Sequence, residues 1–306
     1  MILPAARPLL RHVRYAAALL AVAIVSSVRA DPFLYLSDTG SGYSRIQQLT
    51  TNGTSVNSVF TTAAGFATSM AVDTSGNLYA SFNFTSGVIR KYSSNFTDLG
   101  VFYTNSLIGM AFDRSGYLYG ALGSSIYKVS PAGVSTLFAT DTNGQPVGLA
   151  FDTAGNLYAA NQSTHSVQKF STNGVDLGIF ADTGPSAHPG GLAIDGAGFL
   201  YVSVTDAQQV FKFNSGGGFD SSFASGNMVA SPTPLVLDGG GNLYVQGQDI
   251  HHTVARYTAD GTRLDIVTGG LGSTGSLAIS PVPEPSVLAL SAAGLLGIAL
   301  LHRRRA

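Results

Sequence analysis

Cysteine and tryptophan are absent from this sequence of 306 residues, and glutamate occurs once, at Glu284. Without cysteine the chain has no disulfide, no thiolate metal site, no cysteine nucleophile and no cysteine for lipid attachment. Without tryptophan, a repeat signed by that residue, as in the WD type, is disfavoured. Charge is also scarce. Asp, Glu, Lys and Arg together make up 11% of the residues, against about 25% in an ordinary soluble protein. The 45% of hydrophobic residues suffice for a packed core, so the chain is not a disordered polymer. Glycine is abundant, with 37 residues.

The formal charge of −1 hides an asymmetry. Arg7, Arg11, Arg14 and Arg29 stand in the first thirty residues, and Arg303, Arg304 and Arg305 close the chain. The body between them, residues 31–281, holds nine basic residues and 16 Asp, a net charge near −7 spread without blocks. Such a body repels polyanions, which sets aside nucleic acid as a partner and disfavours anionic membrane surfaces.

Both ends read as address segments. A cationic start, an apolar run over residues 15–25 and the small-residue site Val28-Arg29-Ala30 form the pattern of a signal peptide over residues 1–30, the substrate of a signal peptidase. At the other end, Pro283-Glu284-Pro285 precedes an apolar run over residues 287–301 and then Arg303 to Arg305. Fifteen helical residues span about 22 Å, a short transmembrane helix that snorkelling arginines extend. The arginines belong on the cytoplasmic side and the prolines outside. This three-part order resembles the PEP-CTERM sorting signal of Gram-negative envelope proteins. The resemblance covers roughly the last 25 residues, 282–306. It implies an exosortase as processing partner and transient membrane anchorage through the C-terminal helix. Release to the cell surface or medium would follow, with a link to exopolysaccharide and biofilm. By position, Pro283, Glu284 and Pro285 are the recognition residues and Arg303, Arg304 and Arg305 the stop.

The body repeats. Leu-Tyr pairs place Tyr35, Tyr79, Tyr119, Tyr158, Tyr201 and Tyr244 at intervals of 39 to 44 residues. Six residues before each of the last five stands Asp73, Asp113, Asp152, Asp195 or Asp238. Three residues after each Asp stands Gly76, Gly116, Gly155, Gly198 or Gly241. An apolar-Ala-apolar strand leads into the Asp, whose carboxylate accepts turn N–H groups. The Gly supplies the positive φ of a tight hairpin, and Leu-Tyr opens the returning strand. An alternating third strand, such as Val167-Gln168-Lys169-Phe170, and an outer strand, such as Leu177-Gly178-Ile179-Phe180, complete a unit of about 42 residues. Four strands per such unit make a β-propeller blade.

The first unit lacks an apolar-Ala strand, and the end of the body supplies a spare one, Leu277-Ala278-Ile279. The expectation is therefore an all-β fold over residues 31–281, a six-bladed propeller closed by pairing residues 276–280 beside Phe33 to Leu36. The N-terminal signal helix and C-terminal transmembrane helix flank it. Closure removes two unpaired sheet edges. The repeat resembles the NHL propellers and the SMP-30/gluconolactonase-like group, carried by Pro146 to Asp152 with Gly155-Asn156-Leu157-Tyr158, and by Pro189 to Asp195.

Strand direction puts the Asp-Gly turns on the rear face, as turn caps. The front face, where inner strands begin and Leu-Tyr strands end, collects the candidate ligand residues Asp38, Asn83, Asn161, His165, His188, Asp206, Gln248, Asp249, His251 and His252. The sequence calls for no cofactor. Ca²⁺ on the Asp and Asn oxygens or Zn²⁺ on the imidazoles are the metal alternatives. Two functions stay open: a surface binding or scaffold protein for envelope glycan or exopolysaccharide, and a metal-dependent hydrolase of the gluconolactonase-like kind. The latter's Glu ligand has no counterpart here, since the body holds no Glu.

Overall fold

Short apolar strands punctuated by Asp, Asn and Gly favour hairpins over helices, and hairpins are what form. A computed structural model describes residues 32–281, apart from 41–42, 62–64, 83–86, 224–231, 248–252 and 269–271. These residues form six four-stranded antiparallel sheets. The expected signal helix and transmembrane helix lie outside the described residues. Among the described residues no helix is long and apolar enough to cross a membrane.

The six inner strands are Ala67–Val72, Ile108–Phe112, Pro146–Phe151, Pro189–Ile194, Pro232–Leu237 and Ser273–Ile279, each touching the next around the ring. The last of them closes it. Ser273–Ile279 pairs with the strand Phe33–Gly40, matching Leu36 to Leu277, Tyr35 to Ala278 and Leu34 to Ile279. Ser280 seals the end, its N–H donating to Phe33 O at 2.8 Å and its Oγ accepting from Phe33 N at 2.7 Å. The fold is a six-bladed β-propeller.

Its core is not one mass but six apolar clusters, each straddling two neighbouring blades. Each Leu-Tyr tyrosine packs forward onto the following blade. Tyr79, for example, meets Phe102 of its own outer strand at 4.8 Å and Phe112 of the next inner strand at 4.9 Å, both edge-on. The second strands Leu78–Phe82, Leu157–Asn161, Leu200–Val204 and Leu243–Gly247 are buried throughout, whereas the inner strands are only partly so, because one of their faces lines the axis.

The repeated Asp binds its turn. Asp152 Oδ1 accepts from Asn156 N at 2.8 Å, and its Oδ2 accepts from Asn156 Nδ2 at 2.8 Å and from the Tyr158 hydroxyl at 3.2 Å. Asp73 and Asp238 make the same set. Gly76, Gly116, Gly155, Gly198 and Gly241 all carry φ between 80° and 88°.

A cation completes five of the six units. Tyr79, Tyr119, Tyr158, Tyr201 and Tyr244 lie opposite Lys91, Lys128, Lys169, Lys212 and Arg256 on the third strands. Lys91, Lys128 and Lys169 stand 3.8–3.9 Å from the turn carboxylate. In the closing blade Ser280 replaces the Asp, and Gln48 replaces the cation and donates to Tyr35 Oη at 3.2 Å. Charge enters and leaves as a pair, as expected where an unpaired charge is costly.

Burial, reinforced by the carboxylate beside most of them, pushes the phenols of these six tyrosines up, that of Tyr244 to about 12; Tyr92 is pushed to the same value. An unfolded tyrosine ionises near pH 10. The phenols therefore contribute stability fully below pH 10, and that contribution is lost as pH rises from 10 through 12. Expected is a steep, cooperative alkaline unfolding in this window, with phenolate absorbance appearing together with loss of the β-sheet circular dichroism. Phenolate appearing well before unfolding would contradict it.

Candidate functional site

Three surfaces were open to chemistry, and side-chain type separates them. The rear face carries the Asp turns, whose carboxylates are engaged by backbone, tyrosine and lysine. The axis is a channel of about 480 Å³ lined by inner-strand residues such as Met70, Met110, Leu149, Leu192, Leu235 and Leu277. No Asp, Glu, His, Lys or Arg side chain lines it among the described residues. At its mouth the strands approach so closely that a Cβ on Gly148 would stand 2.2 Å from the carbonyl oxygen of Gly190.

The front face is polar. The loops here join outer strands to inner strands and second strands to third strands. Between the blades that begin at Ile108 and Pro146, an open groove of about 810 Å³ is lined by Thr142, Asn143, Gln145, Gln162 and Ser163 around Asp141. Asp141 is 2% exposed and caps its own loop: Oδ1 accepts from Asn143 N at 2.9 Å, and Oδ2 accepts from Asn161 Nδ2 at 2.8 Å. Burial pushes this carboxyl above the ordinary aspartate value, with Asp176 adding to the effect and the Asn161 bond opposing it. Asn161 is fully buried, and its Oδ1 has no partner. Asn143 Nδ2 donates to Gln168 Oε1 at 2.6 Å, and Gln168 donates in turn to Asp176.

On its other side, the same loop over residues 162–165 carries His165. Its backbone takes φ of 53°, rare for a residue with a side chain, and its Nδ1 is buried without a partner. The ring meets that of His188, from the next blade, edge-on at 4.7 Å. His188 Nδ1 pairs with Asp206, and this bond holds the Asp206 carboxyl below its usual value. Asp38 stands elsewhere on the front face, fully buried, bound by Arg45 Nη2 at 2.8 Å, Gln47 Nε2 at 3.1 Å and Gly272 N at 2.9 Å.

The expected front-face residues thus divide. His165, His188 and Asp206 come together, Asn161 joins Asp141, and Asp38 is tied to a cation. Asn83, Gln248, Asp249, His251 and His252 lie outside the described residues, as do Pro283, Glu284, Pro285, Arg303, Arg304 and Arg305. Among the described residues no three His, Asp or Glu side chains are grouped so as to hold a metal ion. Asp141, Asn143 and Gln168 were not anticipated. The available signal was Asp141-Thr142-Asn143-Gly144, an Asx-turn pattern ahead of Pro146.

Comparison with known proteins addresses the end of the chain first. Residues 281–305 match the family model of the PEP-CTERM protein-sorting motif. The chain carries a PEP-CTERM sorting motif. This motif implies exosortase-dependent export and a C-terminal anchoring signal of the kind typical of Gram-negative bacteria. The matched stretch begins at the residue after Ser280. No curated protein matches the sequence significantly. Solved structures share the propeller fold. A protein of unknown function from Bacteroides caccae aligns with a TM-score of 0.65 at 16% identity, over 82% of this chain and 99% of that one. A chain of the nidogen/laminin complex aligns at 0.64 and 16%, over 81% and 98%. A catalytically inactive virginiamycin B lyase from Staphylococcus aureus with quinupristin aligns at 0.58 and 12%, over 79% and 86%.

Proposed function

We propose that this PEP-CTERM protein is a surface-displayed binding or scaffold propeller that holds an envelope glycan or exopolysaccharide on its front face, within a biofilm matrix. In this reading Pro283, Glu284 and Pro285 are the residues the exosortase recognises, and the arginine end is the stop. The observation that carries the binding role is the groove. Its wall offers amides and hydroxyls from Thr142, Asn143, Gln145, Gln162 and Ser163, a donor and acceptor set suited to a polyhydroxylated chain. Openness suits a polymer, which must pass through rather than be enclosed.

A second reading rests on His188. Asp206 orients its ring through Nδ1, which leaves Nε2 as a proton acceptor for hydrolase chemistry. One experiment separates the two. The exported, processed protein is assayed by affinity electrophoresis against envelope polysaccharides, with Gln145→Ala, Gln162→Ala and His188→Ala in parallel. Both glutamines are exposed, so folding is expected to be unchanged. Each glutamine variant is expected to weaken binding about five- to tenfold, the worth of one hydrogen bond. Absence of binding to every polysaccharide, or turnover of a lactone or ester abolished by His188→Ala, would overturn the binding role.

A further inference from the structure

Each blade ends in an outer strand that hydrogen-bonds on one side only, so the rim of the disc carries six open sheet edges. They are Ser55–Phe60, Asp98–Tyr103, Ser135–Thr140, Asp176–Asp182, Phe219–Phe223 and Arg263–Thr268. An open edge is a template for another strand unless charge, bulges or local caps blunt it. Four of the six carry charge: Asp98 on one, Asp176 and Asp182 on another, Asp220 on a third, Arg263 and Asp265 on the fourth. Asp98 Oδ1 and Asp176 Oδ1 also accept N–H groups of their own edges, from Gly100 and Gly178, both at 2.8 Å. The ladders behind Asp98–Tyr103, Asp176–Asp182 and Arg263–Thr268 break register twice.

The other two edges, two blades apart, are different. Ser-Val-Asn-Ser-Val-Phe over residues 55–60 and Ser-Thr-Leu-Phe-Ala-Thr over residues 135–140 contain no charge, no glycine and no proline, the composition of segments that pair readily with further strands. Each of their ladders breaks register once, and Asn57 to Phe60 pair without interruption with Gln48 to Arg45. The N–H of Ser58 donates to the side chain of its own neighbour, Asn57 Oδ1 at 2.9 Å, in place of a strand carbonyl. The three most exposed large hydrophobic residues among the described ones also gather here: Phe60 at 65%, Val134 at 64% and Leu137 at 60%. Val134 immediately precedes the second edge.

A partner for these edges has no charge to recognise and must supply a strand. A second copy does so. The body is acidic, near −7, so two copies repel each other, least of all at these neutral sectors. Across a two-fold axis an edge meets itself antiparallel, and its donors face the acceptors of its symmetry mate. A six-residue strand pair is about 20 Å long, a contact smaller than the ~1,200 Å² of a lasting interface. One edge therefore gives a weak dimer, and two edges on one disc let weak contacts run on into a chain. We propose that the uncharged rim edges Ser55–Phe60 and Ser135–Thr140 dock second copies of this protein by antiparallel strand pairing, linking the propellers edge to edge into chains. The contact leaves the front face free, so it stands or falls independently of glycan binding.

Sedimentation equilibrium of the exported, processed protein tests it, from about 10 µM to about 1 mM, the range of weak association. The average mass of the unmodified protein is expected to climb past that of a dimer. Ser58→Lys and Thr136→Lys each place a cation at an exposed position of one edge, where the two-fold axis brings it close to its own symmetry mate. Each is expected to weaken its contact about tenfold or more and to stop association at the dimer. The double variant is expected to stay monomeric, with its denaturant midpoint showing that the ring is folded. Val101→Lys is the control, an exposed apolar position on an edge that already carries Asp98, and is expected to leave association unchanged. An unmodified protein that stays monomeric or stops at the dimer, lysine variants that associate as it does, or a control that dissociates like the double variant would each overturn the proposal.

Discussion

Deletion of residues 273–280 is expected to abolish the cooperative unfolding transition of the propeller. This segment supplies the inner strand of the blade whose other three strands come from the N-terminal end of the body. Its Leu277 and Ala278 are 5% and 4% exposed, in clusters with Leu34, Leu36, Tyr35 and Tyr244. Losing the burial of Leu277 and the half-burial of Ile279, with the backbone ladder to Phe33–Gly40, removes about 5 kcal/mol or more. That is the order of a domain's whole stability. Removal also leaves Leu34, Tyr35 and Leu36 on a sheet edge, an aggregation hazard. Denaturant unfolding followed by circular dichroism reads the effect, and a synthetic peptide of residues 272–281 added in trans is expected to restore the transition. A deletion variant that unfolds at the same midpoint as the intact protein would show that the ring stands without its closing strand. Because the sorting motif begins at residue 281, exosortase cleavage at any bond beyond Ser280 leaves the clasp intact.

Gly148→Ala is expected to destabilise the fold by about 3 kcal/mol or more, a large cost for one methyl group. The added Cβ would lie 2.2 Å from the carbonyl oxygen of Gly190 on the next inner strand. That neighbour is backbone, not a flexible side chain, so relief requires moving one blade against another. Gly196→Ala is the control. It stands in an exposed turn with nothing within 4 Å of the new Cβ, and its effect is expected within about 1 kcal/mol, in the stabilising direction. The two midpoints in denaturant decide the matter. Equal behaviour of the two variants would mean that the inner strands are free to spread.

Most of the architecture was legible because it is local. An Asp, a Gly three residues on and a Tyr three further define a hairpin within seven residues, and the same chemistry recurs five times. Closure was legible too, since a unit missing one strand at one end and a spare strand at the other are complementary halves. The site was less so. Asp141 stands in the loop after the outer strand Ser135–Thr140 and Asn161, twenty residues on, ends the strand Leu157–Asn161, so their meeting depends on how that loop folds back over the next blade. His165 and His188 belong to adjacent blades. In sequence, His165 and His251 each stand seven residues after their Leu-Tyr tyrosines, Tyr158 and Tyr244, a likeness that says nothing of His188.

The chain by itself determined the blade, its number and its clasp, because hairpin turns and strand alternation are settled by residues within a few positions of each other. It also determined the acidic balance of the body, which is a matter of composition. Only the tertiary structure decided which polar side chains meet on the front face, which cations are spent on the rear, and where glycine is obligatory. Those depend on the angle and distance at which neighbouring blades pack, quantities that no single repeat contains.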